Sequence, residues 1–356
     1  MFGKMKLKRL IWSVIFSSFI LCSCGEGKNT IISSIRGITL FGETQGTTYG
    51  VIIAEGNSKV TKERLDSLFL TFDQSLSTYI ESSVISILNR STDSVRIKDN
   101  SGYFKDCYVK SESIFNETNG CFDPSVFPLV KGWGFMNNMD TLLSQYEVDS
   151  VLMFVDFTPG KLYDVDFEID DILFKKKHSR FMIDFNAIAQ GQSVDVVDRF
   201  LSDEGHSNYY IEIGGEIIVR GKNREGINWR IGVDVPKDNL KERSVENIIS
   251  ISNKAVATSG NYRKFYIKNG VKYTHILNPK TGVPVQHSLL SATVIANDCA
   301  TADGYATAFM VMGTEASLAF VHEHSDLNLD VYLLSSDTDG GIKRSMSDGF
   351  PKYITE

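Results

Sequence analysis

Paired cysteines at metal spacing, glycine-rich phosphate loops, internal repeats and an excess of positive charge are all missing from this chain. Five cysteines occur in 356 residues and none is in a CxxC spacing, which excludes a zinc ribbon and a disulfide framework. No GxGxxG follows a strand-like run and no Walker loop is present, so neither a dinucleotide-binding fold nor a P-loop fold fits. The net charge is −7, which argues against a nucleic-acid partner. Hydrophobic residues make up 42% and charged residues 23%, the balance of a soluble globular protein. The length allows one large domain or two ordinary ones.

The N-terminus is different in kind. Lys4, Lys6, Lys8 and Arg9 precede the apolar run LIWSVIFSSFIL, about a dozen residues and short for a membrane span. The pattern is that of a signal peptide. It ends Leu21-Cys22-Ser23-Cys24, which resembles a bacterial lipobox, so cleavage before Cys24 would leave that cysteine to carry lipid. An ordinary secretory signal or an uncleaved anchor is the alternative. Loss of residues 1–23 removes four positive charges and no negative ones, taking −7 to −11. Cys107, Cys121 and Cys299 would remain. A Cys107–Cys121 pair in an oxidising periplasm stays open.

Residues 24–36 read as a flexible tether. Ile38–Ala54 reads as two short strands, Lys62–Leu76 as a helix with an apolar stripe of Leu65, Leu68, Phe69 and Phe72, and Ser83–Asn89 and Lys105–Glu117 as further helices. Gly120–Phe135 holds two prolines and several glycines among aromatics, which reads as an ordered apolar loop filling core or lining a pocket. Within residues 139–180 the Lys175–Lys177 run reads as a solvated turn. Phe181–Phe185 reads as a strand and Ala189–Leu201 as a helix, joined by a turn that begins at Asp184 and closes on Gly191. Tyr209–Ile213 and Glu216–Gly221 flank Gly214-Gly215 as a hairpin, a strand follows near Trp229–Val235, and Asn269-Gly270 marks another hairpin. Many strands, scattered helices and no βαβ rhythm predict an α+β fold.

The stretch Ser291–Gly313 changes period midway. Ala292, Val294 and Ala296 alternate as on a strand, and Ala300–Met312 then reads as a helix of small residues holding one acid, Asp303. Thr307 lies four residues on, one turn along the same face. Two oxygens amid small residues suit Mg²⁺, which prefers oxygen ligands. The plainer alternative is that Asp303 caps the helix N-terminus and Thr307 bonds back to a carbonyl.

Singly these motifs are weak, and a lone histidine such as His275 is more often structural than catalytic. In order they are specific. GTTYG, STY, FDPSVFPLVKGWGF, DFNAIAQG, IEIGGEI, ATSGNYR, THILNPKTG and ATADGYAT succeed one another along the chain. The series resembles the ApbE family of FAD:protein FMN transferases over roughly residues 38–335. The resemblance implies a single T-fold-like α+β domain at 37–356, with mixed or antiparallel sheets and packed helices. It implies an Mg²⁺-assisted enzyme that moves the FMN part of FAD to a Thr or Ser hydroxyl of a partner protein and releases AMP. Partners would be flavin-carrying subunits of Rnf and Nqr complexes or other extracytoplasmic flavoproteins, reached from a lipid-anchored position facing the periplasm. Some relatives hydrolyse FAD instead, and a flavin-binding lipoprotein without catalysis is a further reading.

By the same resemblance Asp303 and Thr307 supply metal ligands, with main-chain oxygens of Ala187 and Ala306. Asp184 contacts FAD through the adenosine. Tyr79 and Trp133-Gly134-Phe135 pack against the cofactor, Gln45 and Gln190 complete its contacts, and His275 with Ile276 lies beside the diphosphate for phosphate contact or proton transfer. Two departures stand out. Where the family reads DxGGxAKG this chain has Asn186-Ala187 and Gln190. Where it reads HIIDPxTG, this chain has Asn278 for the aspartate.

Overall fold

A computed structural model describes residues 37–355, apart from 57, 137–141, 235–244, 262–264, 269–270, 338 and 340. The signal segment, the tether and Cys24 lie outside the described residues, as do Arg263 and the Asn269-Gly270 turn.

Eight helices are described: α1 Lys62–Leu76, α2 Val84–Arg90, α3 Tyr103–Glu117, α4 Phe127–Gly132, α5 Gln145–Leu152, α6 Ala189–Asp203, α7 Cys299–Met312 and α8 Thr314–Glu323. The frame is one antiparallel eight-stranded sheet. In spatial order its strands are Ile38–Thr44, Thr47–Ile53, Tyr209–Ile213, Glu216–Arg220, Lys254–Gly260, Leu289–Ala296, Asp330–Ser336 and Ile342–Met346. The fold is α+β, as the sequence predicts.

Both faces of the central strands are buried, which is why they are almost wholly apolar. Ala292, Val294 and Ala296 join Val331 and Leu333 in the core beneath α7. Their neighbours Ile295, Tyr332 and Leu334 pack the opposite way, against Trp229, Ile231, Ile249 and Phe350. That second core lies under a three-stranded sheet of Ile354–Thr355, Val245–Ile251 and Trp229–Asp234. A further sheet of Ser94–Lys98, Asp171–Lys176 and Tyr163–Phe167 extends the first core, with Tyr163 stacked 5.0 Å from Phe174 and 4.8 Å from Phe181.

Three sequence expectations are corrected, and one pairing left open is decided. Phe181–Phe185 forms no strand. Asn89 brackets Ile183, donating to its carbonyl at 2.7 Å and accepting from its N–H at 2.8 Å, while the Asp184 N–H donates to the Pro124 carbonyl at 2.7 Å. The backbone groups that would have made a ladder are therefore taken by a side chain and a loop. Gly120–Phe135 is more regular than expected, with a 3-10 turn at Pro124–Val126 and α4 after it. Each proline sits in a first helical turn, where its missing N–H costs nothing. The Lys175–Lys177 run is not a solvated turn: Lys175 and Lys176 end a strand, and Lys176 is buried, donating to the carbonyls of Asn89 and Ser91 at 2.9 and 3.0 Å. Burial lowers the Lys176 ammonium to a pKa of about 8. Finally, Cys107 and Cys121 are both free.

Candidate functional site

Helix α7 is buried on nearly every side. Its small residues let neighbours come close: a Cβ on Gly304 would stand 2.5 Å from the Ile114 Cδ1 of α3. On the opposite flank α6 crosses at Gly191, where a Cβ would meet the Cys299 carbonyl oxygen at 2.5 Å and the Asp303 Cβ at 2.8 Å. Only glycine fits that crossing. It lets the Gly191 N–H donate to Asp303 Oδ2 at 3.0 Å. The last residue of DFNAIAQG thus bonds the acid of ATADGYAT.

Asp303 does not cap its helix. The N-cap is Asp298, whose Oδ1 accepts from the Thr301 N–H at 2.9 Å. Two more of the exposed N–H groups of the first turn, those of Cys299 and Ala300, are taken by Asp195 of α6 at 2.7 and 2.8 Å. Asp303 is therefore a buried carboxylate with one hydrogen-bond partner, and burial lifts its pKa to about 7 despite the Gly191 N–H. A carboxylate in that setting gains from a bound cation. Asp195 is likewise lifted to about 7, by burial and by the facing Asp298 carboxylate, against the two N–H groups.

The sequence reading assigns two further oxygens to this point, those of Thr307 and Ala187. Thr307, half-buried one turn along α7, makes no hydrogen bond to a carbonyl among the described residues, so the plainer role for it is not seen. Ala187 stands four residues before Gly191. In a regular helix the Gly191 N–H would bond the Ala187 carbonyl. Here that N–H goes to Asp303, and no hydrogen bond reaches the Ala187 carbonyl among the described residues. Ala306 is placed less well: it is buried in mid-helix, where the helical ladder already engages its carbonyl. Among the described residues no cluster of three His, Cys, Asp or Glu is placed to hold a metal. A cation here would rest on Asp303, Thr307, Ala187 and water, an oxygen set that fits Mg²⁺.

Gln45 and Gln190 meet beside the first turn of α6. Gln45 occupies the hairpin between the first two strands with φ at +52°, a costly conformation for a residue other than glycine. Its Oε1 accepts from the Ser193 hydroxyl at 3.4 Å, and its Nε2 is buried without a partner. Gln190 donates to the Ile213 carbonyl at 3.0 Å and fills the space over Gly214, where a Cβ would lie 1.6 Å from Gln190 Nε2. The buried, unpaired amide of Gln45 suits a ligand acceptor. Asp184 is buried, its Oδ1 accepting from the Asn186 N–H at 2.8 Å, and burial raises its pKa to about 6 against that bond.

Trp133 and residues on either side of His275 form a second group. The Trp133 Nε1 donates to the Gly282 carbonyl at 2.8 Å, and its ring stacks on Tyr273 at 6.1 Å. The indole is buried. Its seat is the THILNPKTG turn, so it ties WGF to that turn instead of offering a free face. Gly134 follows with φ at +78°, and Phe135 packs on the same small core. His275 is half-buried directly after the strand Val271–Thr274. Ile276 is buried in the main core, and its carbonyl accepts from the Val285 N–H at 3.0 Å. Asn278 closes its own turn: its Oδ1 accepts from the Lys280 N–H at 2.9 Å. An aspartate there would do the same, so the change to asparagine leaves the turn intact. Tyr79 stands apart, 72% exposed, its backbone N–H donating to the Ser77 hydroxyl at 3.3 Å.

Sequence reasoning does not single out Gly191 as the partner of the acid or Asp195 as the acceptor for the first turn of α7. The available signal is their spacing of four, which sets both on one face of α6.

Known proteins share this arrangement of elements and motifs. A model of the ApbE family matches residues 45–333. An FAD:protein FMN transferase of Vibrio cholerae serotype O1 is 32% identical over 352 residues, spanning 97% of this chain and 99% of that protein. One from Haemophilus influenzae is 32% identical over 357 residues, spanning 98% of this chain and 99% of the other. Among solved structures, the flavin transferase ApbE from Vibrio cholerae superposes with a TM-score of 0.76 at 31% identity, over 89% of this chain and 99% of that one. The apo flavinyl transferase ApbE of Pseudomonas stutzeri gives 0.77 at 25% identity, over 90% and 97%.

Proposed function

This chain belongs to the ApbE family, and on that premise we propose that it is an FAD:protein FMN transferase using Mg²⁺ at Asp303. The acceptor is a Thr or Ser hydroxyl of a flavoprotein. Its oxygen attacks the phosphorus on the riboflavin side of the FAD diphosphate. The bond from that phosphorus to the bridging oxygen breaks, AMP leaves with the electron pair, and the hydroxyl proton passes to a base. A metal held by Asp303, Thr307 and the Ala187 carbonyl would neutralise charge developing on the diphosphate.

The chain's own residues do the rest. Gln45 and Gln190 bind at the two hairpins. Asp184 holds the adenosine, and the aromatic segment around Trp133 keeps the His275 turn in place. His275 contacts phosphate or takes the proton. The observation that carries the reading is the buried Asp303 carboxylate bonded to Gly191, with no hydrogen bond to the Ala187 carbonyl among the described residues.

The test is incubation with FAD, Mg²⁺ and a candidate acceptor bearing a D-x-x-[ST]-G-A-[ST] segment, read by mass spectrometry and by chromatography for AMP. Covalent FMN with AMP in equal amount supports transfer. AMP with an unmodified acceptor points to FAD hydrolysis, and neither product points to a non-catalytic flavin binder. Acceptors of the Rnf and Nqr type are the ones to try first.

Tyr79 gives a second test. Its exposure means that Tyr79→Ala should shift stability by less than about 0.5 kcal/mol. Loss of a ring contact should weaken FAD affinity by about 1 kcal/mol. Calorimetric titration with FAD beside a melting curve checks both; unchanged affinity removes Tyr79 from the flavin site.

The location belongs to the same proposal. The basic, apolar LCSC sequence supports a lipid anchor at Cys24 and a periplasmic position. Cys24→Ser should abolish incorporation of labelled fatty acid, and a wild-type protein that incorporates none overturns the lipoprotein reading.

A further inference from the structure

The N-terminus of α7 is buried, so its N–H groups need protein partners. Helices usually meet that need with a side chain just upstream. Here Asp298 serves Thr301, and its carbonyl accepts from the Ala302 N–H at 3.3 Å. The N–H groups of Cys299 and Ala300 are served instead by one carboxylate of another helix, Asp195 Oδ1 at 2.7 Å and Oδ2 at 2.8 Å. Asp195 lies one turn beyond Gly191 on α6. Asp303 lies one turn beyond Cys299 on α7. The two helices are thus pinned at two points a turn apart: Gly191 to Asp303 and Asp195 to Cys299 and Ala300. Between the pins the backbones touch, with no room for a Cβ on Gly191.

Core packing holds α7 in the molecule, but packing is not directional and one pin alone would not fix its register against α6. Two pins fix its rotation and its height against α6. Asp303 is on α7, whereas Ala187 and Gly191 are on the chain entering α6, so the relative placement of the site's oxygens depends on both. Lys110 of α3 donates to Thr301 at 2.9 Å and Asp298 at 3.3 Å, which steadies the same end from the far side but leaves the Cys299 and Ala300 N–H groups to Asp195.

We propose that Asp195 is a positioning residue for the cation site, a cap supplied across the helix pair that sets where the Asp303 carboxylate stands. The inference rests on the reading of Asp303 as a metal ligand. It goes beyond it by assigning the accuracy of that site to a residue whose two carboxylate oxygens are taken up by the N–H groups of α7.

The test compares wild type with Asp195→Ala, Asp195→Asn and Asp298→Ala, using the full chain. The readouts are the rise in melting temperature on adding Mg²⁺ with FAD, and the Mg²⁺ concentration for half-maximal AMP release. Asp195→Ala should raise that concentration at least about tenfold and shrink the Mg²⁺-induced melting shift, since misplacement by about 1 Å is costly at a reacting site. Asp195→Asn keeps one acceptor oxygen and should fall between, and it carries the test if the alanine variant does not fold. Asp298→Ala removes a cap from the same helix without freeing it from α6. It should lower the melting temperature while leaving the Mg²⁺ dependence within about twofold. If both Asp195 variants keep the wild-type Mg²⁺ dependence while melting lower, Asp195 is only a cap and the inference falls. A wild type indifferent to Mg²⁺ overturns the metal reading itself, and this inference with it.

Discussion

Asp303→Ala is expected to cut Mg²⁺-dependent FAD cleavage by on the order of 10³-fold or more, with the fold intact. A metal that neutralises a diphosphate supplies several kcal/mol of transition-state stabilisation, and each 1.36 kcal/mol is about tenfold in rate. Among the three proposed ligands Asp303 is the one carboxylate, with the Thr307 hydroxyl and the Ala187 carbonyl as neutral companions, so its removal takes the charge that set would offer the ion. The fold should survive for a local reason. Once the carboxylate is gone, the Gly191 N–H is released and can bond the Ala187 carbonyl in the ordinary helical way. That repair satisfies the donor but takes a second oxygen from the site. Asp303→Asn should be nearly as severe, because its amide oxygen can still accept from Gly191 but brings no charge. Thr307→Ala should be milder, since water can replace a neutral hydroxyl. AMP release against Mg²⁺ concentration, with melting temperatures alongside, decides the matter. An Asp303→Ala protein that cleaves FAD at the wild-type rate would sink the metal site.

Gly191→Ala should damage the site with a single methyl. The added carbon would stand 2.5 Å from the Cys299 carbonyl oxygen and 2.8 Å from both the Cys299 carbonyl carbon and the Asp303 Cβ. Those are backbone atoms and the root of a side chain, which cannot swing away. The two helices must part, at about 1–3 kcal/mol for overpacking, partly offset by alanine's better helix propensity, about 1 kcal/mol. The larger effect falls on activity: parting by about 1 Å separates Asp303 from the α6 entry, and such misplacement costs on the order of 10²-fold. Gly304→Ala is the comparison. Its new carbon would meet the far end of a flexible side chain, Ile114 Cδ1, at 2.5 Å, which another rotamer can relieve. Its turnover should stay near wild type. If the two alanine variants have equal turnover, the tight crossing at Gly191 is not what places the acid.

Much of this protein is legible from local chemistry along the chain. The periodicity of Leu65, Phe69 and Phe72 marks α1 because a helix buried on one side must repeat its apolar residues with the helical turn. The same holds for the switch of period inside Ser291–Gly313, and for Gly214-Gly215, where the backbone needs positive φ. Asp303 and Thr307 are legible together because spacing of four is a property of the helix alone.

What does not show in the sequence is whatever depends on a partner distant along it. Phe181–Phe185 has strand composition, yet Asn89 takes the hydrogen bonds of Ile183. Lys176 reads as solvated because its neighbours are lysines, but the carbonyls that bury it come from Asn89 and Ser91. Trp133 reads as a face for the flavin, and the structure adds partners far along the chain: its N–H donates to the Gly282 carbonyl and its ring is buried against Tyr273. The sequence by itself determined the fold class and the family and nominated the acid for the site, since each rests on residue type and spacing along one chain. Only the tertiary structure decided that Asp195 caps α7, that Gly191 bonds Asp303 and that no hydrogen bond reaches the Ala187 carbonyl among the described residues. A hydrogen bond between helices about a hundred residues apart depends on how their faces dock, and no local pattern encodes that docking.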